Sequence, residues 1–491
     1  MSEVLSPSGE RRWGRAVVAL VLALLAVRLA IAASLHLTED EAYYRLWSQA
    51  PAFGYFDHPP MIAWWIWAGR HLAGDTSLGV RLLPALGCAI VSALVWDLAL
   101  QLGADRRTAA RGVLWYNATL LAAAGGFLAV PDAPASVFWT ACLCALARAW
   151  RGGKLRWWAA AGVAAGLASL SKYSSLFLGP GVLLWLASSR GGRARLAGPG
   201  PWTALALAIA VFTPNVAWNA THDWLTFAKQ FGRIAPHRFA PARLAELIGE
   251  QILLLNPLIA AFLVRGLARG EIWSRERRLI AASCAPFAAY LVLHALHDRV
   301  QAHWPAPLYS GAALLAAWSA VDAQGVWRHL RAAVPWAGFG LAASALAWVV
   351  AAGLGAAPLG LDPARPVRDW SGFARRLTAV SSAGGAAWTG TTSYGLAAQL
   401  LDEAPLRSRV VQVAERDRWA NLATPRPDIG RSAGLIVDLP RRVRLDLLEA
   451  CFTSVQPLGM IARGAGASRT LYAIVRVAGP KRDVLGRGCW G

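Results

Sequence analysis

The chain has 491 residues, 56% of them hydrophobic, with a mean hydropathy of +0.39 and a formal net charge of +21. That apolar excess is more than a soluble core of this length uses, and it points to a polytopic membrane protein. The charge excludes a nucleic-acid partner: the arginines cluster between apolar runs, as cytoplasmic loops do, and no DNA- or RNA-binding motif accompanies them.

The first apolar run, residues 14–34, is long enough to span a bilayer and lacks a signal-peptide cleavage site. Residues 38–65, TEDEAYYRLWSQAPAFGYFDHPPMIAWW, follow it and gather Glu39, Asp40, Glu41, Asp57, His58 and the rigid Pro59-Pro60 among Trp and Tyr. A plain connection between membrane helices needs none of this. Acids beside aromatics suit a polar, ring-shaped substrate held next to a general base; the simpler alternative is a solvated loop with interfacial aromatics. Asp40-Glu41, followed by Tyr43, Tyr44 and Trp47, predicts an amphipathic helix on the membrane surface with its acids at the positive end of the helix dipole. The two prolines fix the chain direction and can aim Asp57 and His58 back toward Asp40.

Ten further segments read as spanning helices: 78–101, 109–126, 131–150, 156–171, 173–188, 201–219, 248–266, 278–296, 304–321 and 332–355. That makes about eleven. With a cytoplasmic N-terminus bearing Arg11, Arg12 and Arg15, every second junction falls inside and should be basic. These junctions carry Arg106, Arg107 and Arg111, then Arg148, Arg151, Lys154 and Arg156, then Arg190, Arg193 and Arg195, and the rule continues to Arg328 and Arg331. The opposite junctions are 38–65, 125–134, the SKYSS turn, 215–241 and 294–307, and they hold most acids, histidines and isolated lysines outside the tail. The chemistry gathers on one outer face.

The last span delivers residues 356–491 to that same face. Strand-like runs at 410–413, 435–439 and 471–477 around a helix-like 394–402 predict a small α/β extracytoplasmic domain beside a membrane domain of 1–355, whose first outer loop is 35–77. Cys88, Cys142, Cys144 and Cys284 lie in apolar runs and read as small buried hydrophobes, whereas Cys451 and Cys489 in the tail can pair if the tail is exported.

Several outer residues carry further chemistry. Asp132 in VPDAP starts a helix and reads either as a first-turn acid or as a second functional carboxylate. Lys172, in the junction SKYSS with Tyr173, is either a snorkelling lysine or a cation for a lipid-linked phosphate. Arg299 and His303 in HDRVQAHWP can together form a phosphate clamp, since a leaving phosphate gains charge as its bond to a sugar breaks. Residues 219–233, with His222, Asp223 and Lys229, read as an amphipathic loop helix.

DEAYYRLWSQ, GYFDHPPMIAWW, VPDAPASVFW, GLASLSKYSSLFLGPGVLLWL, PNVAWNATHDWLTF and RVQAHWPAPLY, in that order over residues 14–325, resemble successive signatures of one family. It is glycosyltransferase family 39, the protein O-mannosyltransferase-like family, in its bacterial branch of aminoarabinose transferases and RgtA-B-C-D-like enzymes. The resemblance implies a GT-C membrane fold and inverting transfer from a polyprenyl-phosphate sugar, with undecaprenyl phosphate as carrier. It implies Asp40 as leading catalytic carboxylate with Glu41 beside it, Asp57 as a first-loop acid near substrate or metal, and Asp132 as the second-loop acid. Lys172 looks toward the donor phosphate, and Arg299 and His303 match the basic group ahead of WPAP. Val130 stands where Thr is frequent, and Asp57-His58 where aminoarabinose transferases carry Glu-Lys, so their acceptor does not transfer to this chain.

The reading is an enzyme of the bacterial inner membrane, working at its periplasmic face on a lipid, glycan or protein acceptor of the envelope. Tyr43, Tyr44, Asp57, His58, Lys172, Tyr173, Arg299 and His303 are expected to bind substrate, and Asp40, Glu41 and Asp132 to do the chemistry. The alternative is a transporter or flippase of lipid-linked sugars, which should show repeats or broken helices with midplane polar groups. A divalent metal at Asp40, Asp57 and His58 is left open, because no tight ligand spacing calls for it.

Overall fold

A computed structural model describes residues 7–232, 239–357, 360–403, 406–419, 421–422, 428–485 and 487–490. The chain divides into two compact units, one of residues 1–33 and 57–344, the other of residues 34–56 and 345–491. The 35–77 loop is thereby split at Phe56, and its first half belongs with the tail.

The first unit is helical, with a helix at each of the eleven expected places. Among the described residues five are long and apolar enough to cross a membrane, or six if the bent pair described below is one span: Arg12–Ser34, Ser77–Gln101, Pro199–Ala220, Arg278–Ala295 and Val326–Gly353. Local chemistry sets their starts. Thr76 accepts from the Gly79 amide at 3.1 Å, and Asp105 from the Thr108 amide at 2.6 Å, each satisfying a first-turn donor. The helices Leu155–Ser171 and Pro199–Ala220 meet through Gly162, where a Cβ would lie 2.2 Å from the Ala204 carbonyl oxygen. Such close backbone approach is how membrane helices pack without a hydrophobic driving force between them.

Other expected spans are interrupted. Residues 109–126 divide into Arg106–Asn117 and Leu120–Gly125. Residues 248–266 form Ala242–Leu255 and Pro257–Ala268, bent by 109° at Asn256. Asn256 satisfies the break itself: its carboxamide donates to Val334 O at 3.0 Å and Ala118 O at 3.3 Å and accepts from the Leu258 amide at 3.0 Å. Non-helical backbone at membrane depth is tolerated where protein groups pair it in this way. Arg28, in the first helix, donates to Asn117 Oδ1 at 2.9 Å and Ala122 O at 3.0 Å.

The second unit holds a five-stranded sheet: β1 (Trp388–Thr391), β2 (Val410–Gln412), β3 (Gly434–Asp438), β4 (Phe452–Arg463) and β5 (Thr470–Pro480). Their order is β2-β1-β3-β5-β4, with β1 parallel to β2 and β3, and β5 antiparallel to β3 and β4. The three parallel strands are buried along their whole length, as strands covered on both faces are. Helix Tyr394–Asp402 crosses from β1 to β2. A disulfide joins Cys451 and Cys489 beside a core of Trp388, Ile436, Phe452 and Val477.

Candidate active site

The membrane unit contributes a cluster around Asp132. This residue opens the helix Asp132–Gly152 and is 4% exposed. Lys172 reaches it from the break between helix Leu155–Ser171 and a 3-10 turn, Tyr173–Phe177, where its own backbone is extended. Lys172 Nζ donates to Asp132 Oδ1 at 2.6 Å, and His303 Nε2 lies 3.7 Å from Asp132 Oδ2. The Trp304 ring sits 5.8 Å from Lys172 Nζ. Oδ2 is buried and, among the described residues, takes no hydrogen bond; the imidazole at 3.7 Å is its ionic neighbour.

Asp132 and His303 border a cavity of about 160 Å³, whose other walls include Cys88, Tyr116, Leu128 and Tyr309. The walls are mostly apolar. A lysine and an imidazole at the edge of an apolar cavity can take an anionic head attached to a hydrocarbon chain. Tyr173 props this region: its hydroxyl donates to Asn215 Oδ1 at 2.8 Å and accepts from Asn219 Nδ2 at 3.3 Å. Asp57 is buried, its carbonyl accepting from the Gln230 side chain, and His58 is half-buried. Arg299 is exposed and pairs with Glu246 at 2.9 Å and Glu250 at 3.4 Å. Of the two residues expected to form a clamp, His303 reaches Asp132 and Arg299 turns to the helix Ala242–Leu255.

The second unit, taken by itself, holds Asp40. It sits in the first turn of helix Glu39–Trp47, which begins with a capping box: Thr38 Oγ1 accepts from the Glu41 amide at 3.3 Å, and Glu41 Oε2 from the Thr38 amide at 2.9 Å. Glu41 is fully buried and shapes the helix start. Residues 41–47 are all buried, so the expected surface-lying amphipathic helix is instead a core element of this unit. Tyr43 explains why: its ring lies 4.8 Å from Trp47, 5.0 Å from Tyr394 and 5.5 Å from Trp419, and its hydroxyl donates to Arg418 O at 3.3 Å. Tyr44 packs on Tyr43 and Trp47. The Asp40 carboxylate accepts from the Tyr394 hydroxyl at 2.8 Å.

Asp40 thus falls in one unit and Asp57 and His58 in the other. Among the described residues no group of three His, Cys, Asp or Glu side chains gathers to hold a metal ion. Two neighbours went unnoticed in the sequence. Trp304 lies within the recognised HWP stretch, whereas Tyr394, 354 residues from Asp40, left no local signal beyond its place after a strand and a helix-capping Ser393.

Residues 57–218 match the model of a family described as dolichyl-phosphate-mannose-protein mannosyltransferase. A relative, the lipid A galacturonosyltransferase RgtD of Rhizobium johnstonii, is 30% identical over 291 residues, covering 57% of this chain and 59% of that protein. The chain therefore spans about three fifths of that relative. In fold it is similar to ArnT from Cupriavidus metallidurans bound to undecaprenyl phosphate, with a TM-score of 0.64 at 14% identity over 99% of this chain and 100% of that one. The apo state of the same protein gives 0.62 at 14% identity, over 96% and 99%. At that identity the likeness speaks for the GT-C fold.

Proposed function

We propose that this chain is an inverting glycosyltransferase of the protein O-mannosyltransferase-like family, with a GT-C fold. Its donor is a sugar on polyprenyl phosphate, undecaprenyl phosphate in a bacterium, and its acceptor is an envelope lipid or glycan at the periplasmic face of the inner membrane. The observation that carries this reading is the Lys172–Asp132–His303 cluster at the edge of an apolar cavity.

Asp132 holds Lys172 and the His303 imidazole in place; their N–H groups receive the donor phosphate and stabilise the charge it gains. Asp40 takes the proton of the acceptor hydroxyl. The acceptor oxygen bonds to the anomeric carbon as the carbon–oxygen bond to phosphate breaks, and polyprenyl phosphate leaves with the electron pair. No general acid is needed for such a leaving group. The Cys451–Cys489 pair supports an oxidising, exported environment for the tail. The name of the relative makes galacturonic acid and lipid A the first donor sugar and acceptor to try.

Purified protein in detergent, radiolabelled undecaprenyl-phosphate sugars and an envelope lipid extract provide the test, for wild type and Asp40→Asn. Removing a general base costs about 10²–10⁴-fold in rate. Equal transfer by both proteins removes Asp40 as the base. The transporter alternative retains one argument, the broken helix pair at Asn256, yet the polar groups there are paired within the protein. Donor crossing reconstituted vesicles without any transfer would establish it.

A further inference from the structure

In an open α/β sheet, ligands bind at the carboxyl ends of parallel strands, where the chain turns to opposite sides of a central strand. Here β1 leads through helix Tyr394–Asp402 to β2 on one flank, and β3 then lies on the other. The loops after β1, β2 and β3 therefore enclose a crevice of the ligand-binding type. What occupies it is the acidic first turn of helix Glu39–Trp47.

The loops after β1 and β2 supply the holds. After β1, Tyr394 donates to Asp40 Oδ1 at 2.8 Å, and the next residue is Gly395, where a Cβ would come 2.4 Å from Glu39 Oε2. Only glycine lets the helix start approach so closely. After β2, the Arg418 guanidinium stacks 4.5 Å from the Tyr394 ring centre and 4.9 Å from that of Phe56, which is cation–π distance. Asp438, the last residue of β3, ties the β1 loop by accepting from the Thr392 amide at 3.0 Å and Thr391 Oγ1 at 3.2 Å.

We infer that the tail's sheet crevice is the receptor of the 38–56 segment of the first loop, and that Tyr394 is the positioning residue that orients the Asp40 carboxylate. A carboxylate rotates easily about its last torsion. The phenolic hydrogen bond to Oδ1 restrains that rotation. This assignment rests on the reading of Asp40 as the base.

The test is Tyr394→Phe, which keeps the ring and removes the hydroxyl, made in wild type and in Asp40→Asn and read by transfer kinetics on protein of unchanged melting temperature. In wild type, kcat falls roughly ten- to a hundredfold, the scale of a misplaced catalytic group, with donor KM unchanged. In Asp40→Asn the same substitution costs less than about twofold, since residues acting as one unit are not additive. A kcat within about twofold of wild type, or an equal loss in both backgrounds, overturns the inference. Should the Phe variant not fold, 3-fluorotyrosine at position 394 keeps the shape and changes the donor strength; kcat then shifts in wild type alone if the inference holds, and in neither background, or equally in both, if it fails. Asp40→Asn at the wild-type rate would overturn the underlying function instead.

Discussion

Asp132 and Asp40 are both acids that the sequence placed at one chemistry, and their surroundings are opposite. Asp132 is buried among membrane helices and faces a lysine at 2.6 Å and a histidine at 3.7 Å. Asp40 is half-buried in the other unit and accepts from a neutral phenol. In the proposed function the first setting suits a carboxylate that holds phosphate-binding side chains, and the second a carboxylate oriented for proton transfer. The comparison also separates two ways of building a site: packing helices together, and docking a loop onto a folded sheet.

Breaking the membrane half should have the largest effect. Lys172→Ala leaves the Asp132 charge buried without its strong partner, at a cost of about 3–5 kcal/mol in stability. Lys172→Ala with Asp132→Asn should recover much of that stability while donor transfer stays lost. Melting temperatures and transfer rates of the three variants check this, and a single variant as stable as wild type would show the pair to be dispensable.

On the other side, replacing both tail cysteines, Cys451→Ser with Cys489→Ser, should destabilise the second unit by about 2–4 kcal/mol, the usual worth of a bridge. Limited proteolysis of the tail reads this directly. Protection equal to wild type under oxidising conditions would mean that the bridge contributes nothing.

Gly395→Val probes the docking itself. Its branched side chain must displace Glu39, at about 1–3 kcal/mol for overpacking. Protease cleavage within residues 38–56 should rise, and adding Glu39→Ala should reverse part of it. Cleavage unchanged by Gly395→Val would mean that the loop does not rest there.

The smallest effect concerns pH. His36 lies 3.4 Å from Glu403, both within the second unit. Burial lowers the His36 pKa, but its hydrogen bonds to the Glu403 carboxylate and the Leu37 carbonyl, with the nearby Asp402, outweigh it and leave it raised. The bond to His36 leads the causes that hold Glu403 below its usual range. A raised histidine stabilises fully below its unfolded value of about 6.5 and loses that contribution as pH rises through its folded value. A lowered glutamate stabilises above about 4.3 and loses it as pH falls through its folded value. The pair is therefore strongest between these limits. His36→Gln should cost less than about 1 kcal/mol near pH 5.5 and nothing measurable at pH 9. A cost that grows with pH would refute the assignment.

Much of this was legible in the sequence. The apolar runs located a helix at each of eleven places, because covering apolar surface dictates where such helices form. Helix 394–402 and the strands near 410, 435 and 471 also followed from local pattern. The 109° bend at Asn256 was not legible, because its stability comes from Ala118 and Val334, far away in the chain. Nor was the role of Glu41 as a helix cap, although Thr38-x-x-Glu41 is a capping-box spacing, since the acids around it suggested catalysis first.

The sequence by itself determined the membrane class, the family resemblance and the set of candidate acids and cations, because composition and motif spacing are local properties. Tertiary structure alone decided how those groups pair. It gave Lys172 and His303 to Asp132, turned Arg299 toward Glu246, and brought Tyr394 to Asp40 across 354 residues. The physical reason is that a side chain's partner depends on which backbones approach, and that is set by packing over the whole fold.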